Sequence, residues 1–376
     1  VRRHWTSILR GDPALARRLD LALDVLAEES RALELKAAGA HFGGPIVVET
    51  PDYRGLDSDA VTFSPDTEWM PSVVLLAKST YVWLEQLATR HRRAVTTLAD
   101  VPDEELDRLA GLGVTGLWLI GLWQRSRASA EIKRRRGDGD AVASAYAIDE
   151  YRIADDLGGE AAFEDLRGRA WARGIRLAAD MVPNHMGIDS RWVIEHPERF
   201  LSLAEPPYPA YSFGGPNLSP DARVDIQIED HYWDGTDAAV VFRRRDTASG
   251  EQRFIYHGND GTSYAWNDTA QLDYLRGDVR EAVIGTILDV ARRAPILRFD
   301  AAMVLARRHI RRLWYPEPGA GGAIPSRAEH ALPTPEFNRK MSAEFWREVV
   351  DRVARDAPGT LLLAEAFWLL EGYFVR

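Results

Sequence analysis

One pattern constrains this chain more than any other: a helical segment, a short turn with Gly or Pro, and an apolar strand recur four times. The predicted helix-then-strand pairs are 101–112 with 114–120, 159–173 with 175–182, 279–293 with 296–299, and 342–356 with 360–364. A strand that is apolar on both faces is buried on both sides, as in a parallel sheet covered by helices. The alternation therefore predicts an α/β fold built on a parallel sheet.

Other segments depart from this alternation. Residues 12–38 begin with a capping Asp and a first-turn Pro and carry a Leu stripe, which predicts a helix. Short apolar runs at 73–76 and 81–84 predict strands. Residues 187–275 are rich in Pro, Gly, Tyr and Trp and contain short alternating runs, which predict an inserted, partly β subdomain. The predicted domains are an N-terminal helical or linker segment at 1–70 and a main domain at 71–376 that contains the insertion at 187–275.

Composition excludes several functional classes. The chain has no Cys, which excludes disulfides and thiolate chemistry, and its net charge of −10 argues against a nucleic-acid partner. No window reaches the roughly 18 uncharged apolar residues of a membrane span, so no membrane partner is expected. The N-terminal residues lack the apolar core of a signal peptide, which predicts a soluble cytoplasmic protein.

Polar residues follow three of the four strands at their carboxyl ends. Asp180, Asn184 and His185 end the second strand, Arg298 and Asp300 end the third, and Glu365 follows the fourth. In a βα barrel these strand ends form the active-site face. Unpaired carboxylates are costly to bury, so a cluster of them there is hard to explain by packing alone.

The two strand-end carboxylates Asp300 and Glu365 suggest different protonation states. Arg298 and Asp300 are two residues apart on one strand and should face the same side. A guanidinium there should lower the pKa of Asp300 and keep it ionised. The apolar run around Glu365, with Phe367 and Trp368 after it, should keep that carboxyl protonated. An ionised and a protonated carboxyl about 5–5.5 Å apart are the nucleophile and acid/base of a retaining glycosidase.

Each of these residues also has an ordinary structural explanation. Asp180 could cap the turn after its strand, and His185 could be a hydrogen-bonded loop residue. Arg298 and Asp300 could form a structural ion pair, and Glu365 could be the acidic residue at a helix start. Aromatic residues, including Trp118 and Trp123, are expected in the core rather than as sugar-binding platforms. The joint pattern favours a functional site over these separate explanations.

In its motifs and their order the chain resembles the α-amylase superfamily, glycoside hydrolase family 13, over about residues 70–376. The matching segments are the Asp-x-x-x-Asn-His motif at 180–185, Arg-x-Asp at 298–300, Glu365 after an apolar strand, and the Tyr segment at 144–151. The resemblance implies a (β/α)8 TIM-barrel catalytic domain in which the insertion after the third strand is the family's B domain. It implies Asp300 as nucleophile, Glu365 as general acid/base, Arg298 as the partner of Asp300, His185 as a sugar contact and Tyr146 as the stacking platform. Asp180 and Asn184 would be supporting residues.

The substrate implied by the resemblance is an α-glucan or oligosaccharide, cleaved by water or transferred to an acceptor hydroxyl. No cofactor is required and no metal ligand is assigned to the site, although in some relatives the Asn184 position ligates Ca²⁺. The chain departs from the family pattern at Ala147, where Asp is common, and at Met303, where Lys is common. The family's fourth motif, with a further Asp, has no counterpart before Arg376. We therefore expect an incomplete barrel of about five strands, whose partner is the remaining C-terminal part of the same enzyme.

Two rival hypotheses remain. A metal-dependent barrel enzyme would use Asp180, His185, Asp300 and Glu365 as divalent-cation ligands, although Arg298 would place a fixed positive charge among them. A non-catalytic fragment would bind sugar without turnover.

Overall fold

A computed structural model describes residues 67–260, 265–319 and 327–365, all of which lie in the second of the chain's two units, Val61–Arg376. The helix predicted at 12–38 lies outside the described residues, as does nearly all of the segment predicted at 1–70. The domain boundaries given above therefore stay a prediction.

The centre of the described fold is a five-stranded parallel sheet. Its strands, in spatial order, are β1 (Leu75–Ser79), β2 (Gly116–Ile120), β5 (Arg176–Met181), β12 (Ile296–Phe299) and β13 (Leu361–Ala364). Every neighbouring pair is parallel, and most residues of β2, β5 and β12 are buried. The predicted α/β fold with buried parallel strands is confirmed. Within the described ranges the sheet is open, with β1 and β13 at its edges, and forms an incomplete (β/α)8 barrel.

Ten α-helices lie in the described ranges, some between the strands of this sheet and some in the longer connections. The helices are α1 (Thr80–His91), α2 (Asp103–Gly111), α3 (Arg127–Arg135), α4 (Gly159–Trp171), α5 (Arg191–Glu195), α6 (His231–Asp234), α7 (Gly277–Arg293), α8 (Arg307–Trp314), α9 (Thr334–Lys340) and α10 (Phe345–Asp356). The four helices predicted before buried strands are α2, α4, α7 and α10, with ends shifted by up to three residues. α7 packs on β5 and β12 through a buried stripe that includes Val279, Val283, Ile287 and Ala291.

The strand predicted at 81–84 is wrong, because these residues lie in α1. The buried residues of α1 are Thr80, Trp83, Leu84 and Leu87, and this i, i+3, i+4, i+7 spacing is one face of a helix. A short apolar run does not distinguish a strand from the first turn of an amphipathic helix, and the longer period decides here.

The sheet is curved, as shown by the contacts of Gly116 at the start of β2. A methyl group added at Gly116 would lie 3.2 Å from Cδ1 of Ile296 and 2.9 Å from Cδ1 of Leu75. Ile296 belongs to β12, which is separated from β2 by β5. Strands two places apart in a flat sheet are roughly 10 Å apart, so this contact requires the sheet to curl toward its Gly116 face.

The segment 187–275 contains a four-stranded antiparallel sheet and one strand of a two-stranded antiparallel pair. The sheet, in spatial order, consists of β7 (Ser202–Leu203), β10 (Gln252–Tyr256), β9 (Val241–Asp246) and β8 (Val224–Ile228). Two-stranded pairs join β6 (His185–Gly187) to β11 (Thr269–Gln271), and β3 (Trp123–Arg125) to β4 (Ile148–Ile153). The β6–β11 pair brings the two ends of the segment together.

None of the helices in the described ranges has the length and apolar character needed to cross a bilayer.

Candidate active site

The carboxyl ends of β5, β12 and β13 bring the predicted site residues together. Arg298 is paired in register with Asp180 on one side and Leu363 on the other. Beyond the strands, the Asp300 amide donates to the Met181 carbonyl at 2.8 Å. The Glu365 amide donates to the Phe299 carbonyl at 3.0 Å, so the parallel ladder continues up to both carboxylates.

Arg298 is the centre of a cluster with three carboxylates, here called the carboxylate cluster: Asp180, Arg298, Asp300 and Glu365. Its Nη1 lies 3.1 Å from Oδ1 of Asp180 and 2.7 Å from Oδ1 of Asp300. Its Nη2 lies 2.6 Å from Oε2 of Glu365. The exposed fractions of the three carboxylate side chains are 3% for Asp180, 14% for Asp300 and 39% for Glu365. The cluster is therefore closed at Asp180 and open to solvent at Glu365.

Two aromatic rings flank the guanidinium. Arg298 Cζ lies 5.2 Å from the centre of the Trp118 ring and 5.6 Å from the centre of the Tyr146 ring. The Trp118 indole N–H also donates to Oδ2 of Asp180 at 3.0 Å. Trp118 was expected in the core and instead faces the cluster, whereas Trp123 is buried as expected. The period-two alternation of β2, which places Trp118 on the same face as Gly116, is the signal that could have identified it.

The predicted direction of the pKa shift of Asp300 is wrong. Burial raises the pKa of Asp300 to about 6, the adjoining Glu365 carboxyl adds to this, and the Arg298 guanidinium opposes it without reversing it. Burial likewise raises the pKa of Asp180 to about 6, against the hydrogen bonds from Trp118 and Arg298. Burial, with help from Asp180, raises the pKa of Tyr146 to about 12, so its phenol stays neutral.

The neighbours of Glu365 among the described residues are polar. Besides the ion pair with Arg298, its Oε2 accepts a hydrogen bond from the Ala301 amide at 3.1 Å. Its carboxyl lies close enough to that of Asp300 to help raise the pKa of Asp300. The apolar neighbours expected from Phe367 and Trp368 lie outside the described residues.

His185 and Asn184 form a second, fully buried group beside the cluster. Asn184 exchanges hydrogen bonds with the Gln271 side chain, at 3.2 Å as donor and 3.0 Å as acceptor. His185 Nδ1 lies 3.3 Å from the Asn184 amide nitrogen, its imidazole contacts the Trp266 ring, and it hydrogen-bonds to the Tyr146 backbone. Burial lowers the pKa of His185 to about 4, so it is neutral at pH 7. Gln271 had no distinguishing sequence signal, since its role depends on the pairing of β11 with β6.

The three carboxylates of the carboxylate cluster surround the guanidinium of Arg298. Arg298 is ion-paired with three of the four ligands that the metal hypothesis requires. The Asn184 side-chain oxygen, the one that would ligate Ca²⁺, accepts a hydrogen bond from Gln271. Among the residues that the structure describes, no group of three or more His, Asp and Glu side chains could hold a metal ion.

Solved structures with a similar fold share little sequence with this chain. An α-amylase from Lactobacillus plantarum is 19% identical, with a TM-score of 0.45 over 80% of this chain and 47% of that one. A family GH13_31 enzyme is 14% identical, with a TM-score of 0.48 over 80% and 48%. The trehalulose synthase MutB, as a point mutant in complex with Tris, is 15% identical, with a TM-score of 0.46 over 80% and 46%. This chain thus spans about half the length of the structures it matches.

The comparison with curated proteins gave no match. The family model described as "Alpha amylase, catalytic domain" matches residues 96–282, which include Tyr146, Asp180, Asn184 and His185. Arg298, Asp300 and Glu365 lie beyond the matched residues and are joined to them by the ion pairs of the carboxylate cluster. Through residues 96–282, this chain belongs to the α-amylase family, glycoside hydrolase family 13.

Proposed function

We propose that this chain carries the catalytic carboxylates of a retaining glycoside hydrolase or transglycosidase that acts on α-glucans or α-linked oligosaccharides. Membership of the α-amylase family supports the substrate class. The observation that carries the mechanism is the closeness of Asp300 and Glu365, which are both ion-paired with the guanidinium of Arg298.

The closeness of the two carboxyls favours retention over inversion. Inverting enzymes separate their carboxyls by about 6.5–9.5 Å to leave room for a water molecule, whereas retaining enzymes hold them about 5–5.5 Å apart. Two carboxyls that share one guanidinium are closer to the shorter of these separations. Two adjacent carboxyls can supply the one nucleophile and the one acid that this mechanism needs.

In the proposed reaction a sugar ring stacks on Tyr146 and its glycosidic oxygen lies next to Glu365. Glu365 donates its proton to the leaving oxygen while Asp300 attacks the anomeric carbon, forming a covalent glycosyl–enzyme. Glu365 then removes a proton from water or from an acceptor hydroxyl, which displaces Asp300. Arg298 binds both carboxylates throughout. His185 is the proposed sugar contact, and Asn184 supports it.

Trapping with a glycosyl fluoride tests these roles. A 5-fluoro-α-glucosyl fluoride needs no acid to release fluoride, so we expect it to label Asp300 in the wild-type chain. The Glu365→Ala variant should accumulate the label because its second step lacks a base, and Asp300→Asn should take up none. Intact mass and peptide mapping measure both.

Asp149→Asn is the matched control, since burial also raises the pKa of Asp149 to about 6 but the residue lies outside the carboxylate cluster. This variant should be labelled like the wild type. A label on any residue other than Asp300 would contradict the assignment. Binding of maltooligosaccharides with neither label nor turnover would instead support a non-catalytic sugar-binding protein.

A further inference from the structure

Trp118 contacts two members of the carboxylate cluster, yet none of the motifs of the site includes it. We propose that Trp118 is a positioning residue, whose indole N–H fixes the Asp180 carboxylate so that Asp180 can hold Arg298 in place between Asp300 and Glu365. The inference rests on the proposed function for its catalytic consequence and on the geometry of β2, β5 and β12 for the contact itself.

The first step is the orientation of Asp180. Its Oδ2 accepts the Trp118 indole N–H at 3.0 Å, and its Oδ1 accepts from Arg298 Nη1 at 3.1 Å. Each carboxylate oxygen thus has a donor from a different strand, Trp118 on β2 and Arg298 on β12. With its side chain only 3% exposed, Asp180 has no access to bulk water if it loses either donor. The indole therefore determines which way the carboxylate faces.

The second step is the orientation of Arg298. Of its three carboxylate partners, Asp180 is the only one that the proposed reaction leaves unchanged, since Asp300 becomes a glycosyl ester and Glu365 exchanges its proton. Asp180 is also the most buried of the three. The face of the Trp118 ring lies 5.2 Å from Arg298 Cζ, so the same side chain supports the guanidinium directly. Trp118 thus positions Arg298 in two ways, through its hydrogen bond to Asp180 and through the contact of its own ring with the guanidinium.

Trp123 provides a comparison that separates positioning from packing. Its indole N–H also hydrogen-bonds to Asp180, but to the backbone carbonyl, at 2.7 Å. Its side chain is fully buried in the core. Both tryptophans therefore lose an indole hydrogen bond to the same residue when changed to Phe, and only Trp118 loses one to the carboxylate.

Loss of the Trp118 N–H should change how the cluster titrates. That hydrogen bond favours the charged form of Asp180, so its removal should raise the pKa of Asp180 further and protonate it closer to neutral pH. A protonated Asp180 holds Arg298 less strongly. The charged and titratable groups that face Asp180 in the described structure are Arg298, Asp300, Tyr146 and Tyr151, and Glu365 binds the other guanidinium nitrogen of Arg298.

The experiment compares Trp118→Phe with Trp123→Phe in the full chain, using an activated α-glucosyl fluoride as substrate. We expect W118F to lower kcat by roughly tenfold or more, as for loss of one hydrogen bond to a charged group, with KM little changed. Its acid limb in the pH profile should move to higher pH. W123F should lose comparable thermal stability but keep the wild-type pH profile and most of kcat.

A readout that needs no activity is the nitrogen-15 spectrum of the tryptophan indoles. The Trp118 N–H resonance should titrate with Asp180 near pH 6, and Asp180→Asn should abolish that titration. An active wild type in which W118F and W123F have the same pH profile overturns the inference, as does a Trp118 resonance that does not titrate. An inactive wild type whose Trp118 resonance titrates overturns the proposed function and leaves the contact in place. If W118F does not fold, the wild-type titration decides.

Discussion

At the scale of single residues, Ala301 has a backbone conformation that is unusual for its type. Its φ of 46° lies in the left-handed region, and its amide donates to Oε2 of Glu365 at 3.1 Å. A residue with a side chain loses about 1–2 kcal/mol of stability in the left-handed conformation. This conformation directs the Ala301 N–H at the candidate acid/base. The strain is therefore tied to the position of Glu365.

Ala301→Gly tests that strain. Glycine removes the left-handed penalty but loses a buried methyl group and gains freedom in the unfolded chain, so we expect a net change in unfolding free energy below about 0.5 kcal/mol. Ala302→Gly is the matched control, because Ala302 is equally buried and has no positive φ. It should lose about 1–2 kcal/mol in denaturant unfolding. Equal losses in the two variants would show that Ala301 is not strained.

The residues of the carboxylate cluster could be named from the sequence because the ends of parallel strands meet and alternate residues share a face. Arg298 and Asp300 contact each other as that period predicts. The ionisation of Asp300 could not be predicted, since it depends on how deeply the folded chain buries the carboxyl. The hydrogen bond from Trp118 to Asp180 was missed because it depends on which strand lies next to β5, and tertiary structure decides this.

At the scale of elements, the packing of β2 against β1 and β12 leaves no room for a side chain at Gly116. We expect Gly116→Ala to destabilise the fold by about 1–3 kcal/mol, because the new methyl group would overlap Leu75 and Ile296. Ile296→Val removes the Cδ1 atom of Ile296, which lies 3.2 Å from the position of that methyl group. In thermal unfolding the double variant should therefore lose less stability than the sum of the two single variants.

Gly168→Ala is the control for this substitution. Gly168 is exposed in α4 and has open space where a Cβ would be, so the change should stabilise the helix by about 0.5–1 kcal/mol. Additive losses at Gly116 and Ile296 would show that the sheet is flatter here than described.

Helices and strands with a long, clear hydrophobic period could be predicted from the sequence, and a short apolar run could not. The four strands predicted after helices lie within two residues of their predicted ends, because each follows a helix and a turn. Residues 81–84 were assigned to a strand because four apolar residues fit either period. Only the full length of α1, with Leu87 on the same buried face, settles the assignment.

At the scale of the whole molecule, ionisation of the carboxylate cluster lowers the free energy of unfolding as pH rises. Asp180 and Asp300 have pKa values near 6 in the folded state, above the value of 3.8 for a free Asp. Between these pH values the folded chain binds more protons than the unfolded chain, so this contribution to stability is present at low pH and is lost as pH rises through about 6. A catalytic site that is costly to keep ionised is a common source of conflict between activity and stability.

Asp300→Asn should therefore stabilise the chain, and more so at pH 7.5 than at pH 5. The amide keeps the shape of the carboxyl without its charge, and Arg298 retains Asp180 and Glu365 as partners. We expect a gain of about 1–2 kcal/mol at pH 7.5, below the roughly 3 kcal/mol that a pKa shift of this size allows, because one ion pair is lost. Asp221→Asn is the opposite control, since hydrogen bonds from Arg223 lower the pKa of that carboxyl to about 2, below both test values. Its effect on the melting temperature should be destabilising and equal at the two pH values. If Asp300→Asn gave the same or a larger gain at pH 5, the carboxyl of Asp300 would not be the group that opposes folding.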